Sequence, residues 1–113
     1  MTAPTTQLPR SVIAFLRTHV DHVIKLRFLL ALHGAPGGII SIHVAARELD
    51  LPKAQVRDMA NELAEDGLVR VSPDALELVP SIDDRLAIAD LASWYARDRS
   101  LVLDVLRAMG RAS

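Results

Sequence analysis

The sequence predicts a mainly α-helical domain with a small β-hairpin, and three observations predict it. Half of the residues are apolar, few are aromatic, and helix-favouring types dominate, so the core is built chiefly from Leu, Val, Ile and Ala. Apolar residues recur at helical spacing in blocks separated by Gly34-Ala35-Pro36-Gly37-Gly38, Asp50-Leu51-Pro52 and Gly67. After Gly67 the period shortens. Leu68-Val69-Arg70-Val71 and Ala75-Leu76-Glu77-Leu78-Val79 then read as two strands joined by Ser72-Pro73-Asp74.

Each element follows from its own residues. Residues 1–8 are small and polar with Pro4, and are expected to form a flexible tail. Pro9 suits the first position of a short helix through about Thr18, with Val12, Ile13, Phe15 and Leu16 as its apolar side. Asp21 is the expected N-cap of a helix to His33, although the two segments also fit one kinked helix. That second segment is apolar on nearly every face and belongs at the centre. GAPGG ends it, and Ile39-Ile40 suit a very short strand. Ser41 caps the next helix, which ends near Leu49. Leu51 fills the corner, and Pro52 opens a helix to about Asp66 that Gly67 stops. Ser81 and Asp84 are spaced as a capping box for a long final helix, about Ile82 to Met109.

With 113 residues the chain fits one domain. Its subdivisions are the tail at 1–8, a central domain with its leading helix at 9–80, and a C-terminal helix at 81–110. There is no cysteine, which excludes disulfides and thiolate metal sites. The N-terminus lacks a basic segment followed by an apolar core, so no secretory signal is expected. The longest wholly apolar stretch, Phe28 to Leu32, is far too short to span a bilayer. A soluble, cytoplasmic protein without a membrane partner is expected. Net charge is −1, which supplies no global field for nucleic acid. Its distribution is uneven: residues 1–40 carry four bases against one acid, 41–71 four against six, and 72–113 five against seven.

The run Ser41 to Arg70 carries the functional signal. Val44, Ala45, Leu49, Leu51, Val56, Ala60, Leu63, Leu68 and Val69 fall where a helix-turn-helix needs its small core. The pattern AARELDLPKAQVRDMANELAEDGLVRV resembles the winged helix-turn-helix of bacterial transcription regulators, and the likeness covers about residues 20–80. The flanking helices look like the dimerisation helices of MarR-like and PadR-like proteins in their placement. The whole layout also looks like small bacterial winged-helix proteins whose final helix carries a Tyr-x-x-acid-Arg run, here Tyr95 to Arg99. The resemblance implies a winged helix-turn-helix fold and a homodimeric regulator that reads double-stranded DNA. Helix 53–66 would be its recognition helix. Lys53, Gln55, Arg57 and Asn61 near its start have the chemistry to contact base edges, and Arg47 and Arg70 to contact phosphate. Glu62, Glu65 and Asp66 make its far end acidic. The wing tip, Ser72-Pro73-Asp74, has no cation and reads as closing the domain. A second reading fits the same residues: a winged-helix adaptor that binds protein and not DNA.

On the final helix, Ile88, Leu91, Tyr95, Val102, Val105 and Met109 form a heptad-like stripe interrupted by Asp98, widened by Trp94, Leu103 and Leu106. One partner helix would not cover it: residues 10–33 of the same chain could bury part, and the remainder is most economically buried in a second copy. Leu91, Trp94, Tyr95, Val102, Leu103, Val105, Leu106 and Met109 are therefore the expected dimer interface. Trp94 and Tyr95 read best as packing at the junction with the central domain or at the dimer axis, with one wall of an effector pocket as the alternative. His19 and His22, three apart, would need a third ligand such as Asp21 or His43 to hold metal, and they read better as surface or interface histidines. No glycine-rich loop lies between strand and helix, and GxSxG, HExxH and thiol nucleophiles are missing. No catalysis, cofactor or metal is expected.

Overall fold

A computed structural model describes residues 8–109. They form a mainly helical unit with one small antiparallel sheet. The helices are α1 (Arg10–His19), α2 (Val23–Gly34), α3 (Ile42–Leu49), α4 (Lys53–Glu65), α5 (Ile82–Arg97) and α6 (Arg99–Ala108). The strands are β1 (Ile39–Ser41), β2 (Val69–Val71) and β3 (Ala75–Leu78), in the order β1-β3-β2. Ile39 and Ile40 do form a strand, so the expected hairpin becomes a three-stranded sheet, with Ile40 opposite Leu76 and Arg70 opposite Glu77.

Local chemistry sets the helix ends. Ser41 Oγ accepts from the Val44 amide at 3.0 Å and starts α3, and Ser81 Oγ accepts from the Asp84 amide at 3.2 Å and starts α5. At the end of α4, the Gly67 amide donates to Ala64 O and the Leu68 amide to Leu63 O, both at 3.0 Å. That double closure needs a left-handed residue, and Gly67 supplies it with φ +80°. The end of α3 closes alike, with Leu51 N donating to Ala46 O at 3.0 Å, but there the left-handed residue is Asp50 at φ 57°. An aspartate tolerates this conformation better than most residues, yet less well than glycine.

Phe28, Leu26, Leu29 and Leu32 of α2 are fully buried, so α2 lies at the centre, as its all-round apolar character requires. The α3–α4 pair contributes Ala45, Leu49, Val56, Ala60 and Leu63, the sheet adds Leu76 and Leu78, and α1 and α5 close the far side with Val12, Leu16, Ile88 and Leu91.

Three expectations need correction, and one pair of alternatives is resolved. The tail ends earlier than residue 8: Leu8 is buried against the core, while residues 1–7 of the expected tail, like residue 110 of the expected last helix, lie outside the described residues. α1 and α2 are separate helices, because Val20 is extended at φ −121°. The N-cap of α2 is His22, whose Nδ1 accepts from the Ile24 amide at 3.1 Å; Asp21 lies one residue too early and instead reaches Lys25. Finally, the long C-terminal helix is two. Asp98 leaves helical geometry at φ −150°, ψ 79°, and its carboxylate accepts from the Leu101 amide at 3.1 Å, starting α6. A short acidic side chain competes for backbone amides in this way, and here it wins. The break lets α6 fold back until Met109 shares a cleft with Arg17 and Val20.

Candidate nucleic-acid interface

α4 turns Val56, Ala60 and Leu63 inward at spacings of four and three, and all three are fully buried. That phase places Lys53, Gln55, Arg57 and Asn61 on the exposed side together with Asp58, while Met59 is half-buried. All four are exposed but they divide: Lys53, Arg57 and Asn61 follow one another at four-residue spacing along one edge, whereas Gln55 lies about 160° around the helix from Arg57, on the edge that faces α2. Arg57 leans across to the hairpin, where Nη2 donates to Pro73 O at 3.4 Å. This long hydrogen bond brings the β2–β3 turn beside the first half of α4.

The two residues assigned to phosphate differ. Arg47 is exposed in the last turn of α3. Arg70 is exposed too, but it faces Glu77 across the β2–β3 ladder, with Nη1 to Oε1 at 3.3 Å. A phosphate contact there competes with a carboxylate already in place. At the turn itself, Ser72 N and Oγ both donate to Ala75 O, at 2.9 and 3.1 Å.

Two carboxylates at the end of α4 meet side chains from the N-terminal segment. Lys25 Nζ lies 2.7 Å from Glu62 and 3.2 Å from Asp21, and the lysine side chain is only 12 % exposed. Burial alone lowers its pKa, but the hydrogen bonds and charges of Glu62 and Asp21 outweigh that and leave it raised above its ordinary value of 10.5. One turn further on, His19 Nδ1 meets Asp66 Oδ2 at 3.0 Å, its ring tilted against Phe15. The basic N-terminal segment thus folds onto the acidic end of the motif segment. Sequence reasoning did not single out this role for Lys25. The available signals were the opposed segment charges and the Asp21–Lys25 spacing of one helical turn.

A cleft of about 360 Å³ opens beside this clamp between the start of α2 and α4, lined by Lys25, Leu51, Gln55, Asp58 and Met59 among others. Among the described residues, no group of three or more His, Cys, Asp and Glu side chains is placed to hold a metal ion.

On α5 and α6 the expected interface divides. Leu91, Val102 and Leu106 are buried by the chain's own helices, which withdraws them from any surface open to a second copy. Trp94, Tyr95, Leu103, Val105 and Met109 are half-buried against the same core. Arg97 stacks over Trp94 at 4.9 Å and Arg99 over Tyr95 at 5.6 Å, so both aromatic rings already have partners. Tyr95 does line a cleft of about 310 Å³ with Arg27, Leu30 and Glu48, whereas the clefts described here do not include Trp94.

None of the described residues form a helix long and apolar enough to cross a membrane. Comparison with known protein families, curated proteins and solved structures gave no match.

Proposed function

We propose that this chain is a winged helix-turn-helix regulator that binds double-stranded DNA as a homodimer, with α4 entering the major groove and no chemistry performed. The observation that carries the reading is the division of α4. Lys53, Arg57 and Asn61 run along one exposed edge from its start, with Gln55 on the edge towards α2, while Glu62 and Asp66 at its far end contact Lys25 and His19. Lys25 thereby reduces the repulsion of phosphate by Glu62. The order α2, β1, α3, α4 and a β2–β3 hairpin supports the same reading. Arg47 and Arg70 would meet phosphate, the latter at the expense of its contact with Glu77.

A titration of labelled genomic fragments at increasing salt tests it. Affinity should fall as salt rises, with a shallow slope, because each phosphate neutralised adds only about 0.9 to the logarithmic dependence and few cations are available. Arg57→Ala should weaken binding with folding intact. Absence of binding at low salt overturns the proposal.

The adaptor reading has one observation in its favour. The hairpin turn carries Ser72, Pro73 and Asp74 and offers phosphate no cation, while Leu30, Ala31, Ile39 and Val44 line a groove of about 580 Å³ on another face. In that case the salt titration would show nothing.

A further inference from the structure

The two clefts that share Leu30, Ala31 and Glu48 form one groove between α2 and α3, and its ends differ in kind. Arg27 and Ala31 stand one helical turn apart on α2, and Val44 and Glu48 one turn apart on α3, so each helix gives the groove one face. At one end, Arg27, Glu48 and Tyr95 line about 310 Å³. At the other, Ala35, Pro36, Ile39 and Val44 line about 580 Å³. Ile39 is 49 % exposed there, a large apolar side chain left open to water. Both spaces have the size of small-molecule sites.

The charged end decides which molecules fit. Arg27 and Glu48 are both exposed, and neither pairs with the other or with any other described residue. Arg99, held over the Tyr95 ring at 5.6 Å, does not line the groove. A plain carboxylate entering this end meets repulsion from Glu48, and a plain amine meets it from Arg27. A ligand carrying both signs on neighbouring atoms satisfies the two side chains at once, through charge-assisted hydrogen bonds. Its apolar part then has one direction to take, along the groove towards Ile39.

We infer that this groove binds an apolar α-amino acid, with its carboxylate on Arg27, its ammonium on Glu48 and its side chain between Ala31 and Val44. The inference goes beyond the proposed function and is independent of it, because none of these residues lies on the exposed edge of α4.

Titration of the isotope-labelled chain with L-phenylalanine, followed through its amide chemical shifts, tests this. The amides of Ala31, Val44 and Ile39 should move and saturate. Glycine lacks the apolar part, phenylalaninamide the carboxylate and hydrocinnamate the ammonium. Each should bind at least about tenfold more weakly than phenylalanine, since each gives up one of the three contacts. Glu48→Gln should weaken phenylalanine and strengthen hydrocinnamate, because the repulsion disappears together with the ammonium site. Arg27→Gln should do the same for phenylalanine and phenylalaninamide. A purely structural effect would move both ligands of a pair in one direction. Both positions are exposed, so far-UV circular dichroism should stay unchanged. Absence of saturable shifts at millimolar phenylalanine, or shifts confined to another cleft, overturns the inference. So does a parent chain that binds hydrocinnamate or phenylalaninamide as tightly as phenylalanine. None of these outcomes bears on DNA binding, which the salt titration decides separately.

Discussion

Lys25 joins α2 to α4 and to the α1–α2 connection through one ammonium group, and its replacement by methionine isolates what that group contributes. The aliphatic stem is covered, with 12 % of the side chain exposed, and methionine keeps most of its volume. The charge lost leaves Glu62 and Asp21, whose side chains are 62 % and 65 % exposed and can hydrate freely. No buried orphan charge results, which excludes the larger penalties seen in sealed sites. Exposed pairs contribute about 0.2–1 kcal/mol each. Two such pairs on a largely covered lysine place the cost of Lys25→Met at roughly 1–2 kcal/mol, a fall in Tm of about 5–10 °C for a chain of this size. Urea denaturation of Lys25→Met, Glu62→Gln and the double variant gives the coupling between Lys25 and Glu62, expected near 0.5–1 kcal/mol. It should shrink at high salt. The pH dependence has a definite sign. A lysine whose folded pKa is raised contributes stability that is fully present below its ordinary value of 10.5, and that contribution disappears as pH rises through the folded pKa. The gap between parent and Lys25→Met should therefore be constant at neutral pH and close only in strong alkali. A coupling of zero, or a gap that widens with alkali, refutes the reasoning.

Other perturbations follow from the same geometry. Leu63→Ala empties a fully buried site beneath the exposed face of α4 and should cost about 3–4 kcal/mol in chemical denaturation. Asp98→Ala removes the bond to the Leu101 amide and should cost about 1 kcal/mol; a neutral result would mean that the packing of Val102 and Leu106 alone sets the break. The two left-handed helix ends should respond in opposite senses. Gly67→Ala, at φ +80°, should lower stability by about 1 kcal/mol, whereas Asp50→Gly, at φ 57°, should leave it unchanged or raise it slightly in thermal melts.

Elements whose ends are written in local chemistry were legible in the sequence. Ser41, Ser81 and Gly67 each act within three or four residues of themselves, and each lies where its residue type implied. The buried positions of α4 were legible for the same reason, since Val56, Ala60 and Leu63 repeat at the helical period. The boundary near residue 22 was not, because Asp21 and His22 both have side chains that accept hydrogen bonds, and the choice depends on which one the chain direction brings to the Ile24 amide. The break at Asp98 was hidden differently. Local sequence from Ile82 to Met109 fits one helix well, and its division shows in the burial of Val102 and Leu106 by a helix that has turned back. Periodicity finds an apolar stripe, but it does not say which stripe the fold has already covered. This is why Leu91 read as an open surface although the chain's own helices bury it.

The charges of the candidate interface illustrate the same dependence on tertiary contact. Along the sequence, the motif segment is acidic by two charges and the leading segment basic by three. In space, Glu62 meets Lys25 and Asp66 meets His19, so residues of the leading segment shape the field that α4 presents. A DNA-binding surface assembled this way is sensitive to residues that never approach DNA. Lys25→Met frees Glu62 at the acidic end of α4 while leaving Lys53, Gln55, Arg57 and Asn61 untouched. If α4 meets phosphate, that change should weaken DNA binding by several-fold at low salt, and the loss should fade as salt rises. Lys25→Met with Glu62→Gln should recover affinity without recovering the stability of the lost pair. A protein adaptor gives no reason for these two properties to separate in that way.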